Sequence, residues 1–173
     1  MSEMSSRDLL GRLIGFSTVS RESNLELIAF IRDYLAGFGV DSELFLNAEG
    51  TKANLFATLG PQDRGGVVLS GHTDVVPVEG QAWTVDPFAM SEHDGKLYGR
   101  GAADMKGFIA SVLAAVPAFV AEPLRIPVHL AFSYDEEVGC LGVRSMLADL
   151  EQRPHKPLML SLIHISEPTR QEA

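Results

Sequence analysis

A single cysteine, Cys140, stands among 173 residues, so the chain has no internal disulfide to staple it. A reducing compartment is the simpler setting for such a chain. No Cys-x-x-Cys pair occurs, which excludes a zinc ribbon. Basic residues are also few: 14 Lys and Arg stand against 23 Asp and Glu, for a formal net charge of −9. Nucleic acids and anionic membranes reward basic patches, so neither is an expected partner. The longest apolar run, Phe108–Ala121, is broken by Ser111 and Pro117. It falls short of the ~20 residues that span a bilayer. Met1–Leu10 is polar and has no apolar stretch of signal-peptide length, so a soluble, cytoplasmic protein is expected. There is no Walker loop, no Gly-x-Gly-x-x-Gly after a strand and no Gly-x-Ser-x-Gly elbow.

The composition that remains is ordinary for a globular domain, with 46% hydrophobic and 21% charged residues. Leu9, Leu10, Leu13 and Ile14 recur at helical spacing, as do Leu25, Leu27, Ile28, Ile31, Leu35 and Phe38. Asn24 is the expected N-cap of the second helix, and Gly37 and Gly39 close it. Strands are expected at Ser42–Leu46, Asn54–Leu59, Val67–Ser70, Lys96–Tyr98 and Ile126–Phe132, with a last one within Pro157–Ile165. Asp104 opens a long apolar helix to about Val120, with Pro117 near its end, and Gly142–Leu150 forms another. Trp83 and Phe88 are expected to pin the Gly80–Asp94 loop. Helices alternating with apolar strands predict an α/β fold, a three-layer sheet with helices on both faces.

The acidic residues and one histidine gather where strands end or helices begin, and in open α/β sheets ligands bind beyond the C-terminal strand ends. His72 follows directly on the Val67–Ser70 strand, and Asp74 stands two residues on. A neutral imidazole suits zinc, and Asp74 could accept the hydrogen bond of the other ring nitrogen. Asp104 follows a Gly-rich approach, and a carboxylate there could bridge two ions. Asp135, Glu136 and Glu137 form an acidic triplet after Phe132, a repulsion that a cation would relieve. Each cluster alone has a plainer reading: a turn histidine beside its capping Asp, an N-cap Asp, a solvated acidic turn. Together they outline an oxygen- and nitrogen-donor metal site for hydrolysis by activated water. Cys140, beside negative charge that raises a thiol pKa, is read as a small residue at a helix start.

Three strings now carry a resemblance. VVLSGHTDVVP (Val67–Pro77), GRGAADMKG (Gly99–Gly107) and FSYDEEVGCLG (Phe132–Gly142) resemble, in order, the signatures of metallopeptidase family M20. The likeness runs from about residue 6 to about residue 159. It implies the catalytic domain of a zinc-dependent exopeptidase, present here in its N-terminal part. It also implies two divalent ions, zinc or cobalt: His72, Asp104 and Glu137 match metal ligands, with Asp104 bridging. Glu136 matches the general base, and Asp74 the residue that orients His72. Within the family, the DEEVGCLG form is most similar to acetylornithine deacetylases. Their reaction removes acetate from N2-acetyl-L-ornithine in arginine biosynthesis. The desuccinylase, aminoacylase and carboxypeptidase activities of the family stand as alternatives, and so does an inactive fragment.

The chain also departs from the family pattern. A late histidine ligand has no match here, and the inserted lid domain that carries dimer contacts is absent. The whole protein would be a homodimer acting on a small N-acylated amino acid. Residues 1–159 are therefore expected to be the front of the catalytic domain. Residues 160–173 are expected to be an aberrant tail, because Leu160–Gln171 resembles translated sequencing-adapter read-through. Glu167 stands in that tail within Ser166–Thr169 and is not counted as a ligand.

Overall fold

Ser5 starts the first helix, α1 (Ser6–Ile14), by accepting the Asp8 backbone N–H at 3.1 Å and donating its hydroxyl to the Asp8 carboxylate. This reciprocal cap satisfies donors that a helix start otherwise leaves open. α1 buries Leu9, Leu10, Leu13 and Ile14, the stripe its spacing predicts. α2 (Leu25–Ala36) buries Leu27, Ile28, Ile31, Tyr34 and Leu35. The computed structural model describes residues 3–155 and the backbone of residues 159–161.

The main sheet has the order β1-β2-β6-β3-β7, built from β1 (Ser42–Leu46), β2 (Ala53–Leu59), β3 (Val67–His72), β6 (Val128–Ser133) and β7 (Met159–Ser161). β1, β2 and β6 pair antiparallel, while β6, β3 and β7 run parallel. β4 (Ser91–His93) and β5 (Lys96–Tyr98) form a separate hairpin. Its Asp94-Gly95 turn has positive φ at both residues, as a two-residue hairpin turn needs. The Asp-Gly signal was in the sequence, but β4 was not among the expected strands.

The parallel strands require crossovers. β3 leads through α3 (Lys106–Ala121) to β6 on one side of it, and β6 leads through α4 (Val143–Leu150) to β7 on the other. Right-handed crossovers in opposite directions put their helices on opposite faces. α3 accordingly joins α1 and α2 over Leu55, Ala57, Leu59, Leu130 and Phe132. α4 covers Phe56, Val68 and Ala131 with Met146. The three layers agree with the α/β expectation, although among the described residues one face carries three helices and the other a single short one. Pro117 lies inside α3 and has no N–H to give the Leu113 carbonyl, yet the helix runs on to Ala121. No described helix is long and apolar enough to cross a membrane.

Two local expectations change. Asn24 precedes α2, but its side chain makes no cap bond. It reaches across to β2 instead, donating to the Ala53 carbonyl at 2.8 Å and accepting the Ala53 N–H at 2.9 Å. These bonds satisfy two main-chain groups of a buried strand, a demand that prevails over the cap. Asp104 does not open α3; Met105 holds the cap position, and Asp104 stays in the approach loop. The last expected strand is seen at Met159–Ser161, and residues 162–173, with Glu167, lie outside the described residues.

Candidate metal centre

His72 and Ser133 sit side by side at the C-terminal ends of the parallel strands β3 and β6. The crossovers leave this point toward opposite faces, which opens the crevice where such sheets bind ligands. His72 is buried, 2% exposed, and its Nδ1–H donates to the Asp74 carbonyl at 2.9 Å. The Asp74 carboxylate, expected as that acceptor, lies further off at 3.5 Å. Either contact keeps a proton on Nδ1 and turns Nε2 toward the crevice.

At Nε2 the acidic residues converge. Asp104 Oδ1 lies at 3.1 Å and Glu136 Oε2 at 3.8 Å. His72, Glu136 and Glu137 each offer a ligand atom, and those three atoms lie within 4.8 Å of one another. Asp104 is half exposed and stands outside that close triple. Asp74 is brought in from behind: Oδ1 accepts the Glu136 N–H at 3.0 Å and Oδ2 the Glu137 N–H at 3.3 Å. Asp135, at φ +53°, turns these consecutive N–H groups toward one carboxylate.

The acidic triplet therefore divides. Asp135 is no part of the cluster; both its oxygens accept from Lys52 Nζ, at 2.7 and 2.8 Å. It also accepts the Arg21 N–H at 2.9 Å. A buried lysine thus pairs with Asp135, a charge that the sequence reading left to a cation. Glu136 and Glu137 keep their share, and burial together with the nearby Asp104 pushes the Glu137 carboxyl above its usual range.

His72 has the opposite bias. Burial disfavours its charge, but Asp74 outweighs burial, Glu136 adds to it, and the imidazole is pushed up to about 9. Asp74 is likewise buried at a cost, yet bonds from His72, Ser20 and the Glu136 amide hold its carboxyl below the usual range. A nitrogen fixed for ligation and crowded carboxylates make a donor set that fits a divalent ion.

Much of the support was illegible in the sequence. Thr73, between His72 and Asp74, is buried and donates from Oγ1 to the Ser133 carbonyl at 2.8 Å. Asn24 donates to Thr73 Oγ1 at 3.0 Å, and Thr18 to the Thr73 carbonyl at 2.6 Å. Ser20 donates to Asp74 Oδ2 at 2.7 Å. These partners stand 49 to 60 residues apart along the chain, beyond any local pattern. Gly101 and Gly142 are required nearby. A side chain on Gly101 would meet Val75 at 2.8 Å, and one on Gly142 the Tyr134 carbonyl at 2.0 Å. Trp83 lies half-buried under the Arg100 guanidinium, 5.2 Å from its ring, and ties its loop to the glycine-rich approach. Cys140 is exposed, 3.7 Å from Glu136 Oε1, and burial with the Glu136 charge pushes its thiol up.

Known structures share this arrangement of strands and helices. Human carnosine dipeptidase 1 is 28% identical, with a TM-score of 0.73 over 86% of this chain and 35% of its own. The M20 family metallo-carboxypeptidase Sso-CP2 from Sulfolobus solfataricus is 22% identical, with a TM-score of 0.73 over 86% of this chain and 34% of its own. The di-peptidase Dug1p from Saccharomyces cerevisiae is 21% identical, with a TM-score of 0.67 over 83% of this chain and 34% of its own. At these identities the last two speak for the fold alone. The chain spans about a third of the length of each. The sequence model of peptidase family M20/M25/M40 matches residues 68–173, more than half of the chain and all three acidic clusters with it. The chain belongs to peptidase family M20/M25/M40.

Proposed function

We propose that this chain carries the metal-binding half-site of an amide hydrolase that removes acetate from N2-acetyl-L-ornithine. The observation that carries the hydrolase reading is the close group of His72, Glu136 and Glu137 at the end of β3, with Asp104 Oδ1 3.1 Å from His72 Nε2. His72, Asp104 and Glu137 would hold two divalent ions, zinc or cobalt. Bound there, such ions would supply a water acidic enough to act at neutral pH and a Lewis acid for the amide carbonyl. Asp74 accepts the hydrogen bond of His72 Nδ1, so Nε2 is the ring nitrogen that would serve an ion. Glu136, partly exposed to the crevice, takes a proton from the attacking water at a carboxylate oxygen and delivers it to the leaving amine. Its neighbour Glu137 points the other way in role, as a ligand.

The acetyl-ornithine assignment rests on the DEEVGCLG form of the third signature. A dipeptidase or carboxypeptidase reading is favoured by the 28% identity to a protein described as a carnosine dipeptidase. Product release from N2-acetyl-L-ornithine, N-succinyl-diaminopimelate and an unblocked dipeptide, with zinc or cobalt added, distinguishes them. Highest kcat/KM on the acetylated substrate supports the proposal, and preference for the dipeptide overturns the substrate assignment. Glu136→Gln is expected to cost about 10²–10⁴-fold in kcat and to leave metal binding in place. A variant as active as its parent would remove Glu136 from the chemistry.

A further inference from the structure

We propose that Ser20 is a positioning residue of the metal centre, acting through Asp74. This rests on the reading of the cluster around His72 as a metal site. Ser20 lies 54 residues before Asp74 and outside the family match, which begins at residue 68. The short segment around it is sewn onto the metal-site loop. The Thr18 carbonyl accepts the Val75 N–H at 3.0 Å, and Ser20 N–H donates to the Val75 carbonyl at 2.9 Å. Val19 and Val75 form a parallel bridge. These bonds fix the backbone; the Ser20 hydroxyl goes beyond it to the Asp74 carboxylate at 2.7 Å, with the Val75 carbonyl a longer second acceptor at 3.4 Å.

That contact decides how Asp74 sits. The carboxylate is buried, 3% exposed, and each oxygen has its own duty. Oδ1 faces His72 Nδ1 and takes the Glu136 N–H. Oδ2 takes the Glu137 N–H at 3.3 Å and the Ser20 hydroxyl at 2.7 Å, the shortest of its bonds. Without the hydroxyl, Oδ2 keeps only a long bond and the carboxylate can swing about its terminal torsion, which is a soft one. Both groups it aligns, the His72 ring and the Glu136–Glu137 amides, would lose their reference together. Partners that orient a metal ligand typically account for about 10–100-fold in metal affinity.

Zinc titration calorimetry on this chain and four variants tests the proposal. Ser20→Ala is expected to bind zinc about tenfold or more weakly, and Ser20→Thr, which keeps a hydroxyl, to stay within about threefold of the parent. Ser20→Gly removes the hydroxyl without adding a metal donor and should also lose affinity, which keeps the test sound if the alanine variant does not fold. Ser5→Ala removes the cap of α1, the acceptor of the Asp8 N–H at 3.1 Å. It should lower the melting temperature while leaving zinc affinity within about threefold, because Ser5 has no bond to the metal-site loop. Unchanged affinity in Ser20→Ala or Ser20→Gly overturns the proposal, as does an equal loss in Ser5→Ala. A parent chain that binds no zinc overturns the metal-site reading together with this one, whereas a binding parent with an intact serine variant overturns this one alone.

Discussion

His72 carries two opposed demands. Without metal it is an imidazolium held by Asp74 and Glu136, with a pKa pushed up to about 9; as a ligand it must be neutral. Zinc binding at pH 7 must then expel about one proton, and affinity should rise roughly tenfold per pH unit up to about pH 9. Calorimetry in buffers of different ionisation enthalpy reads that proton, and no release would contradict the account. The sign for metal-free stability is the reverse. A folded-state pKa above the ordinary 6.5 adds stability that is full below pH 6.5 and disappears as the pH rises through about 9. Urea denaturation of the metal-free chain should therefore show falling stability across that window, and His72→Gln should flatten the fall. Lys52 and Asp135 form the other buried charged contact, with side chains 7% and 15% exposed. Lys52→Met strands the Asp135 carboxylate and should cost about 3–5 kcal/mol by the same denaturation, with part recovered in Lys52→Met/Asp135→Asn.

The elements share stability unevenly. α3 buries Ile109, Ala110, Val112, Leu113 and Val116 in the larger core, whereas α4 buries Met146 alone. Leu113→Ala should cost about 2–5 kcal/mol. Hydrogen exchange should protect the α3 amides far more than those of α4, because opening α4 exposes little apolar surface. Equal protection of the two helices would show that the thin face is held by contacts other than Met146. The loop before α4 carries Glu136 and Glu137, so the weaker layer stands next to the candidate ligands. Element existence was legible because periodicity is local: the α1 and α2 stripes and the apolar runs of β2, β3 and β6 announce themselves. Their ends were less so. Asn24 answered a need of β2 rather than of its own helix, and α3 began after Asp104 rather than on it.

At the scale of the whole molecule, strand order converts distant signatures into one crevice. Parallel pairing of β3 with β6 sets His72 against Ser133, and each signature then leaves from a strand end that topology has made adjacent. The three clusters were legible as strings, and so was the family. Division of labour within them was not: Asp135 pairs with Lys52, which lies 83 residues away, and the bonds from Asn24, Thr18 and Ser20 cross 29 to 55 residues. No local pattern encodes such partners, because folding alone brings them together. The account turns on His72, Asp104, Glu136 and Glu137 acting as one metal centre. Zinc content after exhaustive dialysis, for the parent chain, His72→Ala and Glu137→Gln, tests this most directly. Near-stoichiometric zinc in the parent and its loss from both variants is the predicted result. A metal-free parent, or zinc retained equally by His72→Ala, would contradict it.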